Sequence, residues 1–207
     1  MWRPKLMSIP SAAEALAGRE QPLAVVDEHF VNQRSMLQRP EGAAQLILGM
    51  GCFWGAERRL WQQDGVLVTA VGYAGGSTPN PTYQEVCSGE TGHTEVVRVW
   101  YDPQQVSMED LLAVFWQSHD PTQGMRQGND VGTQYRSAVY VESEPELQQV
   151  LASKAHYQQR LGAAEQGDIT TEIRVLEQFY FAETDHQQYL AKNPNGYCGL
   201  SGCNVTY

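Results

Sequence analysis

The sequence predicts an α+β domain in which helices pack on a mixed β-sheet. Two observations carry that expectation. Runs rich in β-branched and aromatic residues alternate along the chain with helical patterns that bring their own start signals. The chain, at 207 residues, is also long enough for one substantial core and too short for two comfortable ones.

The first stretch, residues 1–44, is expected to be an N-terminal extension wrapped around the core as an extended arm. Prolines at 4, 10, 22 and 40 break it into short pieces. Ser11-Ala12-Ala13-Glu14 matches a capping box and predicts a short helix before Gly18. The main α/β domain is placed at 45–192. It opens with the apolar run Leu46-Ile47-Leu48, short enough for a buried strand. Gly51-Cys52-Phe53-Trp54-Gly55 follows, and then Ala56 to Gln63, rich in good helix formers. Cys52 is therefore expected at the first turn of a helix that follows a strand.

Val66 to Tyr73 predicts a second strand. Thr78-Pro79-Asn80-Pro81-Thr82-Tyr83 is read as a structured loop that presents Tyr83, because its prolines oppose helix and sheet alike. Glu95 to Tyr101 predicts a strand whose alternation puts Glu95, Val97, Val99 and Tyr101 on one face. Ser107 caps a helix from Met108 to about Ser118, with Leu111, Leu112, Phe115 and Trp116 as its core stripe. A long polar loop from His119 to Thr133 leads into a strand at Tyr135–Val141. Ser143-Glu144-Pro145-Glu146 starts the longest helix, to about Leu161. A further strand is expected from Ile169 to about Leu176, and a short helix from Glu183 to Lys192. The glycine-rich tail, 193–207, holds Cys198 and Cys203 and has no pattern for regular structure.

Net charge is −10, from 24 acidic and 14 basic residues. That opposes non-specific binding to nucleic acid or to an anionic membrane surface. No apolar stretch reaches membrane-spanning length, and the N-terminus lacks the apolar core of a signal peptide. A cytoplasmic location is the expectation. The four cysteines, at 52, 87, 198 and 203, form no C-x-x-C pair and lack zinc-site spacing, so no metal is expected.

Three features carry the chemistry. A cysteine at a helix start meets unpaired N–H groups and the helix dipole, which favour the nucleophilic thiolate; a free cysteine also packs well as a small apolar residue. Glu95 heads an apolar strand face, so it is either at a solvated strand end or desolvated with a raised pKa. The tail thiols are either incidental or the resolving partners that a thiol-based reductant needs.

Gly51-Cys52-Phe53-Trp54-Gly55, Gly72-Tyr73-Ala74-Gly75-Gly76, Gly89 to Glu95, Tyr101-Asp102-Pro103, His119-Asp120-Pro121-Thr122, Gly128 to Ser137 and Asp185 to Tyr189 occur in that order. Together, over about residues 45–198, they resemble the peptide methionine sulfoxide reductases of the A type. The resemblance implies a two-layer α/β sandwich with a ferredoxin-like core. It also implies reduction of the S epimer of methionine sulfoxide, free or in oxidised proteins, by a monomer needing no cofactor. Matched by position, Cys52 is the nucleophile and Glu95 the acid toward the sulfoxide oxygen, with Tyr83 and Tyr135 assisting. Phe53 and Trp54 pack on the substrate methyl, and Asp130 orients the site. Cys198 and Cys203 relay the oxidation through 52–198 and 198–203 disulfides to thioredoxin. One departure is the link Gly199-Leu200-Ser201-Gly202, shorter than the spacer such relatives often carry. Cys87 is expected to be a packed bystander, and His93, His119 and His186 to be structural hydrogen-bonders.

Overall fold

The strand-like runs pair into a single sheet. The computed structural model describes residues 7–176 and 178–207. Its strands are β1 (Ala44–Met50), β2 (Val66–Ala74), β3 (Thr94–Tyr101), the short β4 (Arg126–Gln127) and β5 (Asp130–Val131), β6 (Ser137–Val141), β7 (Glu172–Val175) and β8 (Tyr180–Phe181). The helices are α1 (Phe53–Trp61), α2 (Tyr83–Ser88), α3 (Met108–Ser118), α4 (Glu144–Ala163) and α5 (Tyr189–Lys192). The main sheet has the order β7-β6-β1-β3-β2-β8, and β4 and β5 form a separate hairpin. Its pairings are antiparallel except for β6 with β7, so the sheet is mixed, as expected. Within it, β1-α1-β2-β3-α3-β6 with strand order β6-β1-β3-β2 is the ferredoxin-like arrangement.

Period-two alternation decides what each face buries. Leu48 lies opposite Val97 on one side and Val139 on the other, so one face of three strands is aliphatic. That face packs on Leu60 of α1, on Leu111, Phe115 and Trp116 of α3, and on Val150, Tyr157 and Leu161 of α4. The opposite face, with Val68, Ala70 and Trp100, is covered in part by Met36 from the N-terminal stretch. The Arg98 guanidinium lies 3.9 Å from the Trp100 ring centroid and 4.7 Å from that of Phe181, and it donates to the Met36 carbonyl. Arg19 pairs with Glu85 of α2 at 2.7 Å.

Three local expectations change. Ser11–Glu14 closes as a turn through the Glu14 side chain rather than as a helix. Tyr83 opens α2 instead of standing on a loop: Thr82 and Glu85 form a capping box that starts the helix directly after the prolines. The helix expected from Glu183 shrinks to α5. Gln187 spends its side-chain amide on the Val71 N–H and C=O of β2, and Gln188 takes a left-handed φ of 47°, so the helix begins only at Tyr189. The tail from Asn193 has no regular structure, yet its end is held. The Tyr157 hydroxyl donates to the Val205 carbonyl at 3.0 Å, and Tyr207 meets Ser153 at 2.9 Å.

Candidate active site

Strand β1 reaches α1 through Gly51, whose φ of +85° suits glycine alone. A Cβ there would lie 2.6 Å from the Gln127 side chain. The turn leaves Cys52 as the N-cap of α1, partly buried, near the Trp54 and Gly55 backbone N–H groups but with no side-chain capping hydrogen bond. Those N–H groups favour the thiolate. Burial and then the charge of Glu95 outweigh them, and the thiol is pushed well above its ordinary value. The helix start thus does not act alone on this sulfur.

Glu95 lies on β3 opposite Tyr73 of β2 and is 1% exposed. Of its two possible settings the structure has the desolvated one. One carboxylate oxygen accepts from the Phe53 backbone N–H at 3.0 Å. Tyr83 and Tyr135 stand close enough to the same carboxylate that it raises both phenols, after burial as the larger cause. Tyr83 also interacts with Cys87, so the cysteine expected to be a packed bystander borders the site. Asp130, partly buried, accepts from the Tyr197 hydroxyl at 3.2 Å, and burial raises its pKa. Its charge also reaches the Cys52 thiol.

Aromatic rings wall the other side. Phe53 is 1% exposed; its ring stacks on Tyr83 with a centroid separation of 6.4 Å and meets Tyr73 and His186 at a tilt, at 5.9 and 5.5 Å. The Trp54 ring lies on Tyr189 at 3.9 Å, and its indole N–H donates to His186 Nδ1 at 3.2 Å. Tyr189, His186, and Glu183, which accepts from the Tyr83 N–H and the Tyr73 hydroxyl, were not singled out as site residues by sequence reasoning. Their signal was a short polar stretch, Glu183 to Tyr189, with no periodicity of its own. His93 and His119 bond carbonyl and hydroxyl groups around the core, His93 to the Thr78 carbonyl and His119 to the Phe115 carbonyl and Ser137.

The tail crosses this site. A Cβ on Gly55 would lie 2.8 Å from Cys198 Sγ, so the exposed Cys198 rests on the first turn of the helix that Cys52 caps. Cys203 is placed differently. It is partly buried and hydrogen-bonded to Asp120, and burial followed by that carboxylate raises it to about 12. None of the four cysteines is joined in a disulfide. Among the described residues no three His, Cys, Asp or Glu side chains are grouped to hold a metal ion, and no helix is long and apolar enough to cross a membrane.

A cysteine at a helix start, a buried carboxyl bonded to that same start and a second thiol against the first turn are the groups of an oxidoreductase site. The family model described as peptide methionine sulfoxide reductase matches residues 44–204. A peptide methionine sulfoxide reductase MsrA of Ectopseudomonas mendocina is 60% identical over 96% of this chain and 91% of its own. MsrA 1 of Synechocystis is 63% identical over 93% and 87%. Among solved structures, methionine sulfoxide reductase A of Corynebacterium diphtheriae superposes with a TM-score of 0.87 at 44% identity, covering 97% of this chain and all of that one. The chain belongs to the peptide methionine sulfoxide reductase family.

Proposed function

We propose that the protein reduces the S epimer of methionine sulfoxide, free and within oxidised proteins, and so repairs oxidative damage in the cytoplasm. The observation that supports this most is the buried Glu95 carboxyl bonded to the backbone of the helix that Cys52 caps. A sulfoxide sulfur is a poor electrophile until its oxygen is protonated, so the reaction needs an acid opposite the nucleophile. The charge of Glu95 raises the Cys52 thiol. A proton on Glu95 therefore lowers the cost of the thiolate, and the reactive pair is a protonated carboxyl beside a thiolate.

Attack of the Cys52 sulfur on the sulfoxide sulfur, with the Glu95 proton passing to oxygen, moves that oxygen to Cys52. The products are Cys52 sulfenic acid and the methionine thioether. Tyr83 and Tyr135, kept protonated by burial, are donors for the same oxygen. Trp54, with Phe53 behind it, offers an aromatic surface to the methyl group, which sulfur-bearing groups favour. Asp130 orients the polar rim. Cys198 then attacks the sulfenic sulfur, releasing water and forming the 52–198 disulfide. Exchange with Cys203 returns Cys52 as a thiol and leaves 198–203, which the dithiol of thioredoxin reduces. That last exchange requires Cys203 to leave Asp120.

The experiment is turnover of the separated sulfoxide epimers by wild type and by Cys52→Ser, Cys198→Ser and Cys203→Ser. Wild type is expected to consume the S epimer alone, and Cys52→Ser to be inactive with any reductant. Cys198→Ser should turn over with a small thiol but not with thioredoxin. Equal use of both epimers, or full thioredoxin-dependent activity in Cys198→Ser, would overturn the reading.

A further inference from the structure

Glu57 lies about one helical turn beyond Cys52 on α1, is wholly withdrawn from water and has no part in the steps above. Three donors converge on its two oxygens. Thr69 Oγ1–H reaches Oε1 at 2.9 Å, the Gln188 side-chain amide reaches Oε1 at 2.8 Å, and the Gln188 backbone N–H reaches Oε2 at 2.8 Å. Burial pushes the carboxyl up to about 7, while these donors pull the other way.

The directions of the bonds extend outward from that carboxylate. Thr69, having given its proton to Glu57, accepts from His29 Nε2–H at 3.1 Å. The other ring nitrogen of His29 accepts the Val31 and Asn32 N–H groups, which agrees with that tautomer. The Gln188 carbonyl oxygen accepts from the Phe30 N–H at 3.0 Å, and its amide nitrogen also lies 3.4 Å from Met36 Sδ. One carboxylate thus joins the N-terminal arm, β2, α1 and the turn before α5. That turn is held at a positive φ which a non-glycine residue adopts only when its surroundings impose it. On either side of Gln188 are His186, which accepts the Trp54 indole N–H, and Tyr189, which stacks on the Trp54 ring.

We propose that Glu57 is a positioning residue for the substrate pocket: as a carboxylate it locks the Gln188 turn, and with it the rings that orient Trp54, while the arm from His29 to Met36 completes the lock. This rests on the reading above that Trp54 lines the sulfoxide site. A neutral group in place of the carboxylate brings its own donor to a point where three donors already meet, so at least one bond of the lock must open.

The test is Glu57→Gln, which keeps the shape and removes the charge, compared with wild type at pH 8 using the methionine S-sulfoxide and a small dithiol. KM is expected to rise roughly tenfold, the scale of one lost hydrogen bond to a buried charge, with kcat within about twofold. Alkylation of Cys52 should stay at the wild-type rate. In the proton NMR spectrum the Trp54 indole N–H resonance, identified by its loss in Trp54→Phe, should move in Glu57→Gln. Thr69→Val, a smaller change that removes one donor, should move it the same way and raise KM by about threefold. A folded Glu57→Gln or Thr69→Val with wild-type KM and an unmoved Trp54 resonance would overturn the proposal. The two readings fail separately: an inactive wild type overturns the sulfoxide reading, and the resonance still tests the lock.

Discussion

The Phe53 backbone N–H donates to Glu95 Oε2 at 3.0 Å, tying the first residue of helix α1 to the carboxyl on strand β3. One backbone contact thereby ties the Glu95 carboxyl to the helix start that carries Cys52. Glu95→Gln keeps an acceptor for that N–H and removes the proton and the charge. Sulfoxide reduction is expected to fall by roughly 10²–10⁴-fold, the usual worth of a positioned acid. Alkylation of Cys52 at pH 8 should become faster, because the charge that raises its thiol is gone. Slower alkylation would contradict the electrostatic coupling between the two residues.

Gly55→Ala places a methyl where Cys198 Sγ lies 2.8 Å away. Replacing a helical glycine should itself stabilise the fold by about 0.5–1 kcal/mol. Capture of the sulfenic acid should slow all the same, so more of it is trapped by dimedone and thioredoxin-dependent turnover drops severalfold. A more stable protein with undiminished trapping resistance would show that Cys198 attacks from another position.

Asp120→Asn removes the carboxylate that, after burial, raises Cys203 to about 12. The thiolate fraction of Cys203 should grow, and mass-resolved alkylation at pH 8 should label it faster than in wild type. Equal rates would mean that burial alone sets its reactivity.

Stability should fall in acid through two buried histidines. His29 and His119 are both held at about 4, chiefly by burial, against an ordinary 6.5. A depressed histidine pKa means that the unfolded chain takes up protons first as pH drops. Its contribution is intact above 6.5 and is lost between 6.5 and about 4, roughly 3 kcal/mol for each. Glu57, raised to about 7, acts oppositely over an overlapping window and offsets about one of them. The urea midpoint should therefore decline between pH 7 and pH 4. A flat profile would argue against buried neutral imidazoles.

Much of this was legible in the residues. The strands β1, β2, β3 and β6 and the helices α1, α3 and α4 follow from alternation, apolar stripes and caps such as Ser107, because each buries a face whose pattern is local. Glu95 stood out because a carboxyl headed an apolar strand face. Other pieces were hidden. The Thr82–Glu85 capping box was masked by its neighbouring prolines. The stretch from Glu183 to Tyr189 was legible as a motif and a short helix but not as a wall of the site, since Gln187 and Gln188 spend their side chains on β2 and Glu57, far away in sequence. Glu57 itself reads as an ordinary helix-surface glutamate until Thr69 and Gln188 are seen around it. The influence opposing the thiolate at Cys52 was hidden for a related reason: the helix start is local, but the Glu95 carboxylate comes from another strand.

The main sheet carries helices on one face and has the Met36 region packed on part of the other, while Cys52 sits at the junction where β1 gives way to α1. At that junction the partly buried sulfur has the tail residues Tyr197 and Cys198 nearby. On the proposed function, an oxidised methionine on a loose or unfolded segment would be repaired early, and one packed flat in a folded partner would wait until that partner opens.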